Sequence, residues 1–184
     1  MLLVSSCTPA FNWRDVRLSG AELTVPFPCK PERATRSVAW FGGETRLHML
    51  SCEHRGLTFA AGVLALPSGI EATDAHTGLQ RAALASVRQL PERAQPWRPA
   101  LSEVASGGPA NLRGWTAEGQ RPDGQPVRVH ALTWVRNGHL AHLSIYGPVS
   151  PQTLEQWLEG LRADPQVRSD DHPSQPPPVR SPDS

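Results

Sequence analysis

Few side chains in this chain could do chemistry: three cysteines, seven histidines, and the trio Glu118, His142 and Tyr146. Cys7, Cys29 and Cys52 lie too far apart for a zinc or redox motif, which needs close C-x-x-C pairs. Cys7 ends the run Val4-Ser5-Ser6-Cys7, which has the form of a permissive bacterial lipobox: an aliphatic residue, two small ones, then the cysteine that takes the lipid. A signal peptide also needs a basic start and an apolar stretch of about 7–15 residues. Met1 to Val4 fall short of that, so the lipoprotein reading expects coding sequence upstream of Met1; the alternative is an ordinary N-terminus with a chance cysteine. With Cys7 set aside, Cys29 and Cys52 make one pair. A bridge would pin a proline-rich segment to a strand, stabilise by about 3 kcal/mol for a loop of that length, and require an oxidising compartment. The competing reading is two buried thiols in a cytosolic protein. Sorting three cysteines into one lipidated residue and one pair favours the bridge.

The histidines do not assemble a metal site. His139 and His142 are three apart in an expected strand, which turns them to opposite faces. Cys52 and His54 share a face, but the sequence offers no third ligand beside them. Nucleophile motifs are missing as well. There is no Gly-x-Ser-x-Gly, and Gly107-Gly108 is followed by Pro109, which removes a backbone donor that a phosphate cradle would use. No metal and no cofactor are expected. What remains is a mixed strand face on which Glu118, His142 and Tyr146 are expected to point the same way and could converge on a ligand, although solvated sheet faces carry such residues by default.

That trio depends on residues 112–147, which read as three antiparallel strands joined by two tight turns. Asp123-Gly124 and Asn137-Gly138 supply the positive φ of primed two-residue hairpin turns. Read so, the turns pair Trp115 with Leu132 and Leu132 with Leu143. Trp115, Leu132, Trp134, Ala141, Leu143 and Ile145 then form one core face, and Glu118, Thr133, His142 and Tyr146 fall on the other.

Upstream, residues 12–27 read as a hairpin turning at Ser19-Gly20, ended by Pro26-Phe27-Pro28-Cys29-Lys30-Pro31, where a central strand could not continue. Residues 35–41, 45–54 and 57–66 alternate as strands with turns at Gly42-Gly43 and Arg55-Gly56. They are apolar on both faces, which predicts cover on both sides. Thr73 or Asp74 caps a helix expected to reach Leu90 on the stripe Leu79, Ala83, Val87 and Leu90. Residues 91–109 form a long connection with Trp97 turned inward. Ser150-Pro151 opens a second helix running to about Ala163, with Leu154, Trp157, Leu158 and Leu161 on one face. Residues 35–90 and 112–163 thus each read as three strands and a helix. The expected fold class is α+β, an antiparallel sheet built from an N-terminal hairpin and two three-strand-plus-helix units, with two helices packed on the sheet.

Composition bounds the rest. Residues 1–11 read as a truncated signal or lipobox-like N-terminus, 12–163 as a single α+β domain, and 164–184, rich in Pro, Ser and Asp, as a disordered tail. Net charge is +1 and no basic cluster occurs, which argues against nucleic acid as a partner; a membrane enters only through a lipid anchor at Cys7. Lys30 is the single lysine among 18 basic residues, a skew that with 19 prolines reflects a GC-rich coding bias.

The hairpin ending in Pro26 to Pro31, a strand ending near Cys52, and the later hairpin carrying Asp123-Gly124 and Gly147 resemble small envelope lipoproteins of beta- and gammaproteobacteria, over residues 12–163. Their fold resembles the PsbP-like fold, named for extrinsic proteins of photosystem II. The resemblance implies an antiparallel sheet sandwiched with helices and a non-enzymatic accessory or binding role in the periplasm, with an unknown protein partner or small ligand. It carries over no catalytic residues. The other class consistent with the residues is a small-ligand-binding or hydrolytic periplasmic protein using the face of Glu118, His142 and Tyr146.

Overall fold

The computed structural model describes residues 11–97 and 112–163. The lipobox-like run at Cys7 and the Pro-rich tail lie outside these residues. The chain runs β1 (Arg14–Leu18), β2 (Leu23–Phe27), β3 (Glu32–Trp40), β4 (Gly43–His54), β5 (Leu57–Ala65), α1 (Ala72–Ser86), a 3-10 turn (Pro91–Arg93), β6 (Gln95–Trp97), β7 (Leu112–Gln120), β8 (Pro126–Arg136), β9 (His139–Tyr146), α2 (Pro151–Glu159) and β10 (Arg162–Ala163). Seven strands make one antiparallel sheet in the order β3-β4-β5-β9-β8-β7-β6, and β1, β2 and β10 make a second, smaller one. The α+β class therefore stands.

Three of the hairpin turns have one chemistry. Phe41-Gly42 (φ 47° and 79°), Arg55-Gly56 (51° and 76°) and Asn137-Gly138 (49° and 69°) carry positive φ at both central residues, the type I′ pattern whose twist matches paired strands. The first turn sits one residue earlier than Gly42-Gly43, because Gly43 is already paired with Trp40. The registers of β3, β4 and β5 group Val38, Leu47 and Met49 apart from Leu50, Cys52 and Phe59, as alternation requires.

The fourth turn corrects the expected register. Pro122-Asp123-Gly124 is a three-residue loop: Gly124 N–H donates to the Arg121 carbonyl at 2.9 Å and Arg121 N–H to the Gln125 carbonyl at 2.8 Å. Asp123 Oδ1 also accepts from Gln125 N–H at 3.0 Å. Proline prefers the first central position of a type I turn, and Gly124 at φ 86° takes the left-handed position that follows it. Trp115 consequently pairs with Ala131 and Ala117 with Val129, not with Leu132 and His130. One residue of slip turns every β7 side chain over. Trp115 leaves the face of Leu132 and Trp134 and joins the opposite one.

Each face of the sheet has its own cover. On one side α1 lays Leu84 and Val87 over Trp115, Ala117, Val127, Val129 and Ala131, and Ala75 over Leu64 and Leu140. On the other, the β1–β2 hairpin and α2 bring Leu23, Val25, Phe27, Trp157 and Leu161 onto Phe59, Ala61, Leu132, Leu143 and Ile145. The hairpin thus covers the far side, not an edge. Glu22, in the β1–β2 turn, accepts from Asn137 Nδ2 at 2.8 Å and faces Arg136 at 3.4 Å, tying this layer to the β8–β9 turn. Pro26 lies within β2 but beyond its two pairs with β10, so its missing N–H breaks no ladder there.

Both helices end short of their expected limits. α1 begins after Glu71 and stops at Ser86, where Gln89 N–H reaches the Leu84 carbonyl at 2.9 Å and Arg88 N–H the Ala85 carbonyl at 3.1 Å. This is a Schellman ending with Arg88 at the left-handed position that glycine usually fills. Leu90 is 65% exposed and belongs to the connection that follows. α2 starts as expected, with Thr153 N–H donating to Ser150 Oγ, but breaks at Gly160 so that Arg162 and Ala163 can pair with β2.

Cys29 and Cys52 form a disulfide with their Cα atoms 6.1 Å apart, joining the end of the first hairpin to β4. We expect the double variant Cys29→Ser/Cys52→Ser to lose about 3 kcal/mol in urea unfolding; a loss under about 0.5 kcal/mol would show that the bridge does not constrain the fold. Trp157→Ala, which empties the centre of the α2 layer, should cost about 3–5 kcal/mol.

Candidate functional site

The corrected register separates the residues nominated from the sequence. Glu118 pairs with Arg128 on the face of Thr116 and His130, whereas Thr133, His142 and Tyr146 lie on the face under α1. The trio therefore does not share a face. Tyr146 packs, half-buried, beside Ala117 and Val129 as part of the core. His139 and His142 point to opposite faces of β9, and no group of three metal-competent side chains occurs among the described residues.

His142 sits in a polar layer that the sequence did not announce. It stacks on Trp115 with ring centroids 6.2 Å apart and planes 21° off parallel. Its cross-strand neighbour Thr133 meets His76 of α1, with 2.6 Å between Oγ1 and Nδ1. The Thr133 hydroxyl also reaches the Arg113 carbonyl at 3.3 Å. His142 has no such arrangement. Although the residue keeps some exposure, both ring nitrogens are buried without a hydrogen-bond partner, as is Ser144 Oγ beside it. Burial holds the His142 imidazole neutral, lowering its pKa from 6.5 to about 4.

An accessible site lies where β7 turns into β8. The residues after α1 run along the outer edge of β7: Gln120 N–H donates to the Val87 carbonyl at 2.8 Å and Gln89 Nε2 to the Glu118 carbonyl at 2.6 Å. Arg88 reaches the Pro122 carbonyl at 2.9 Å. This crossing requires Gly119, because a Cβ there would stand 2.4 Å from the Val87 carbonyl oxygen. Two adjoining clefts result. One of about 760 Å³ is bounded by Arg88, Gln120, Val127, Gly147 and Val149, and one of about 440 Å³ by Arg93, Gln95, Thr116 and Ala117. Gln89, Glu118 and Arg128 stand in the walls of both. Arg128 holds Glu118 through Nε and a terminal nitrogen. His130 lies one register step further along β8, with its pKa lowered by burial first and by Arg128 second.

Among the nominated residues only Glu118 belongs to this groove. Arg88, Arg93 and Arg128 are scattered in sequence, and no local pattern marks them as neighbours.

The His142 environment sets a pH dependence. Its imidazole is neutral when folded and free to protonate when unfolded, so unfolding takes up a proton once the pH falls below about 6.5. Stability from this group is full above pH 6.5 and declines by up to about 1.4 kcal/mol per pH unit until about pH 4. His142→Leu should flatten that part of the stability-versus-pH curve and match or exceed the parent at pH 7; an unchanged acid slope would show that another group carries it. Comparison with protein-family models, with curated proteins and with solved structures finds no match for this chain.

Proposed function

We propose that the protein is a non-enzymatic module of the cell envelope, exported to the periplasm, anchored there through lipidated Cys7, and serving as a binding or accessory element. The observation that carries this reading is the Cys29–Cys52 disulfide. Such bridges persist in oxidising compartments and are rare in the reducing cytosol. No helix among the described residues is long and apolar enough to cross a membrane, and an anchor at Cys7 needs none. The groove beside β7 and β8 is the binding surface of this module, since it is a concave part of the sheet edge that carries charged and amide side chains. In the same reading the fold comprises two three-strand-plus-helix units, the first closing with α1 and the second with α2, in the manner of a PsbP-like sandwich. A hydrolytic centre of Glu118, His142 and Tyr146 is not retained, because Glu118 and His142 occupy opposite faces.

Expression of the full-length gene product in its own cells tests the compartment. The expected outcome is recovery with the envelope, incorporation of labelled palmitate that Cys7→Ser abolishes, and no maleimide-reactive thiol at Cys29 or Cys52 before reduction. Recovery in the cytosol with both thiols reactive would overturn the proposal.

A further inference from the structure

The groove described above carries an unbalanced charge. Three guanidinium groups, of Arg88, Arg93 and Arg128, line its two clefts against one carboxylate, Glu118. Glu118 is committed to Arg128. The Arg88 guanidinium meets only the neutral Pro122 carbonyl, and the Arg93 side chain has no hydrogen bond or ion pair among the described residues. Asp123, the nearest carboxylate in the turn, accepts from the Gln125 backbone within its own loop. Among the described residues, these two positive charges have no ion-pair partner. Around them stand neutral hydrogen-bonding groups: the side-chain amides of Gln95 and Gln120 and the Thr116 hydroxyl.

The backbone supports a selected geometry at the same place. Arg88 occupies a left-handed conformation, φ 53°, at the helix-ending position where glycine is the unstrained choice. A glycine there would close α1 equally well, so the helix ending does not explain the arginine. Its side chain is what the strain retains, and that side chain stands in the wall of the larger cleft. Gly119 and Gly147 line that cleft too, and neither can gain a Cβ without meeting backbone oxygen, of Val87 at 2.4 Å and of Gly56 at 2.9 Å. The floor and rim are thus fixed by close backbone approaches, which gives the guanidinium groups a rigid frame.

We propose that this groove binds a small hydroxyl-rich anion, a sugar carboxylate or sugar phosphate. Planar guanidinium donors suit the paired oxygens of either acid group, and amide and hydroxyl groups suit the sugar hydroxyls. The combined volume is ample for a monosaccharide. This assignment rests on the binding-module reading, but its test is made on purified protein and is independent of compartment.

The test is an NMR titration of the full chain with glucuronate, glucose 6-phosphate and glucose at low salt. Both anions should give saturable amide shifts centred on Arg93, Gln95, Thr116 and Arg128, weakening as salt rises, and glucose should give none. Arg93→Gln should weaken anion binding about tenfold, the loss expected for one charge-assisted contact. Arg88→Gly should weaken it as well while leaving the melting temperature equal or higher, because the left-handed strain is relieved. Equal response to glucose, unchanged affinity in both variants, or no saturable shift with either anion would overturn the assignment. Envelope localisation combined with no titration would reject the ligand and leave the compartment reading standing.

Discussion

The structure depends on the need to cover both faces of one sheet. Strands β5, β9 and β8 carry apolar side chains on alternate positions of both sides, with Ala61, Leu143 and Ile145 facing one way and Leu64, Leu140 and Ala131 the other. Apolar area gains roughly 25 cal/mol per Å² on leaving water, so neither face can stay wet. One helix satisfies the α1 side. The opposite side takes two separate pieces, the N-terminal hairpin and α2, and these lock to each other through β10 and to the main sheet through Glu22 and the Cys29–Cys52 bridge. The disulfide is thus part of how the first hairpin is held as a lid on the sheet.

Covering both faces leaves polar atoms stranded, and the protein treats its two sides differently. Under α1, His76 Nδ1 meets the Thr133 hydroxyl, which also reaches the Arg113 carbonyl, while His142 beside them has no partner for either nitrogen. A buried group without its hydrogen bond costs about 1–3 kcal/mol. Water exclusion there is bought with a histidine that titrates low. At the β7–β8 end the balance is reversed: charged and amide side chains remain in reach of solvent around clefts whose frame is fixed by backbone contacts. Polar chemistry is therefore displaced from the middle of the sheet to its edge.

Arg88 links these two regions. It ends the helix that seals the histidine layer and begins the segment that walls the groove. A Schellman ending places the next residue in a left-handed turn, redirecting the chain along the edge of β7, where Val87 and Gln89 continue the hydrogen bonding that β6 resumes further on. The seal over the core and the shape of the groove are consequences of one local conformation.

The chain itself determined the longer strands, two of the hairpin turns and the need to cover both faces, because these follow from local rules: alternation at period two, Arg55-Gly56 and Asn137-Gly138 at reversals, Ser150 before Pro151 at a helix start. The Cys29–Cys52 pairing was legible for a related reason, since three cysteines leave few choices. What the sequence could not decide was the side on which Glu118 lies. Both two-residue and three-residue loops can be written for Pro122-Asp123-Gly124; the preference of Pro122 for the first central position favours the longer one, and the packing of Trp115 and Ala117 beneath α1 agrees with it. The groove was equally illegible, because Arg88, Arg93 and Arg128 meet only after α1 ends early and its continuation crosses Gly119. Registers and edges are long-range facts, settled by which side chains must leave water together, and a local pattern carries no record of that choice.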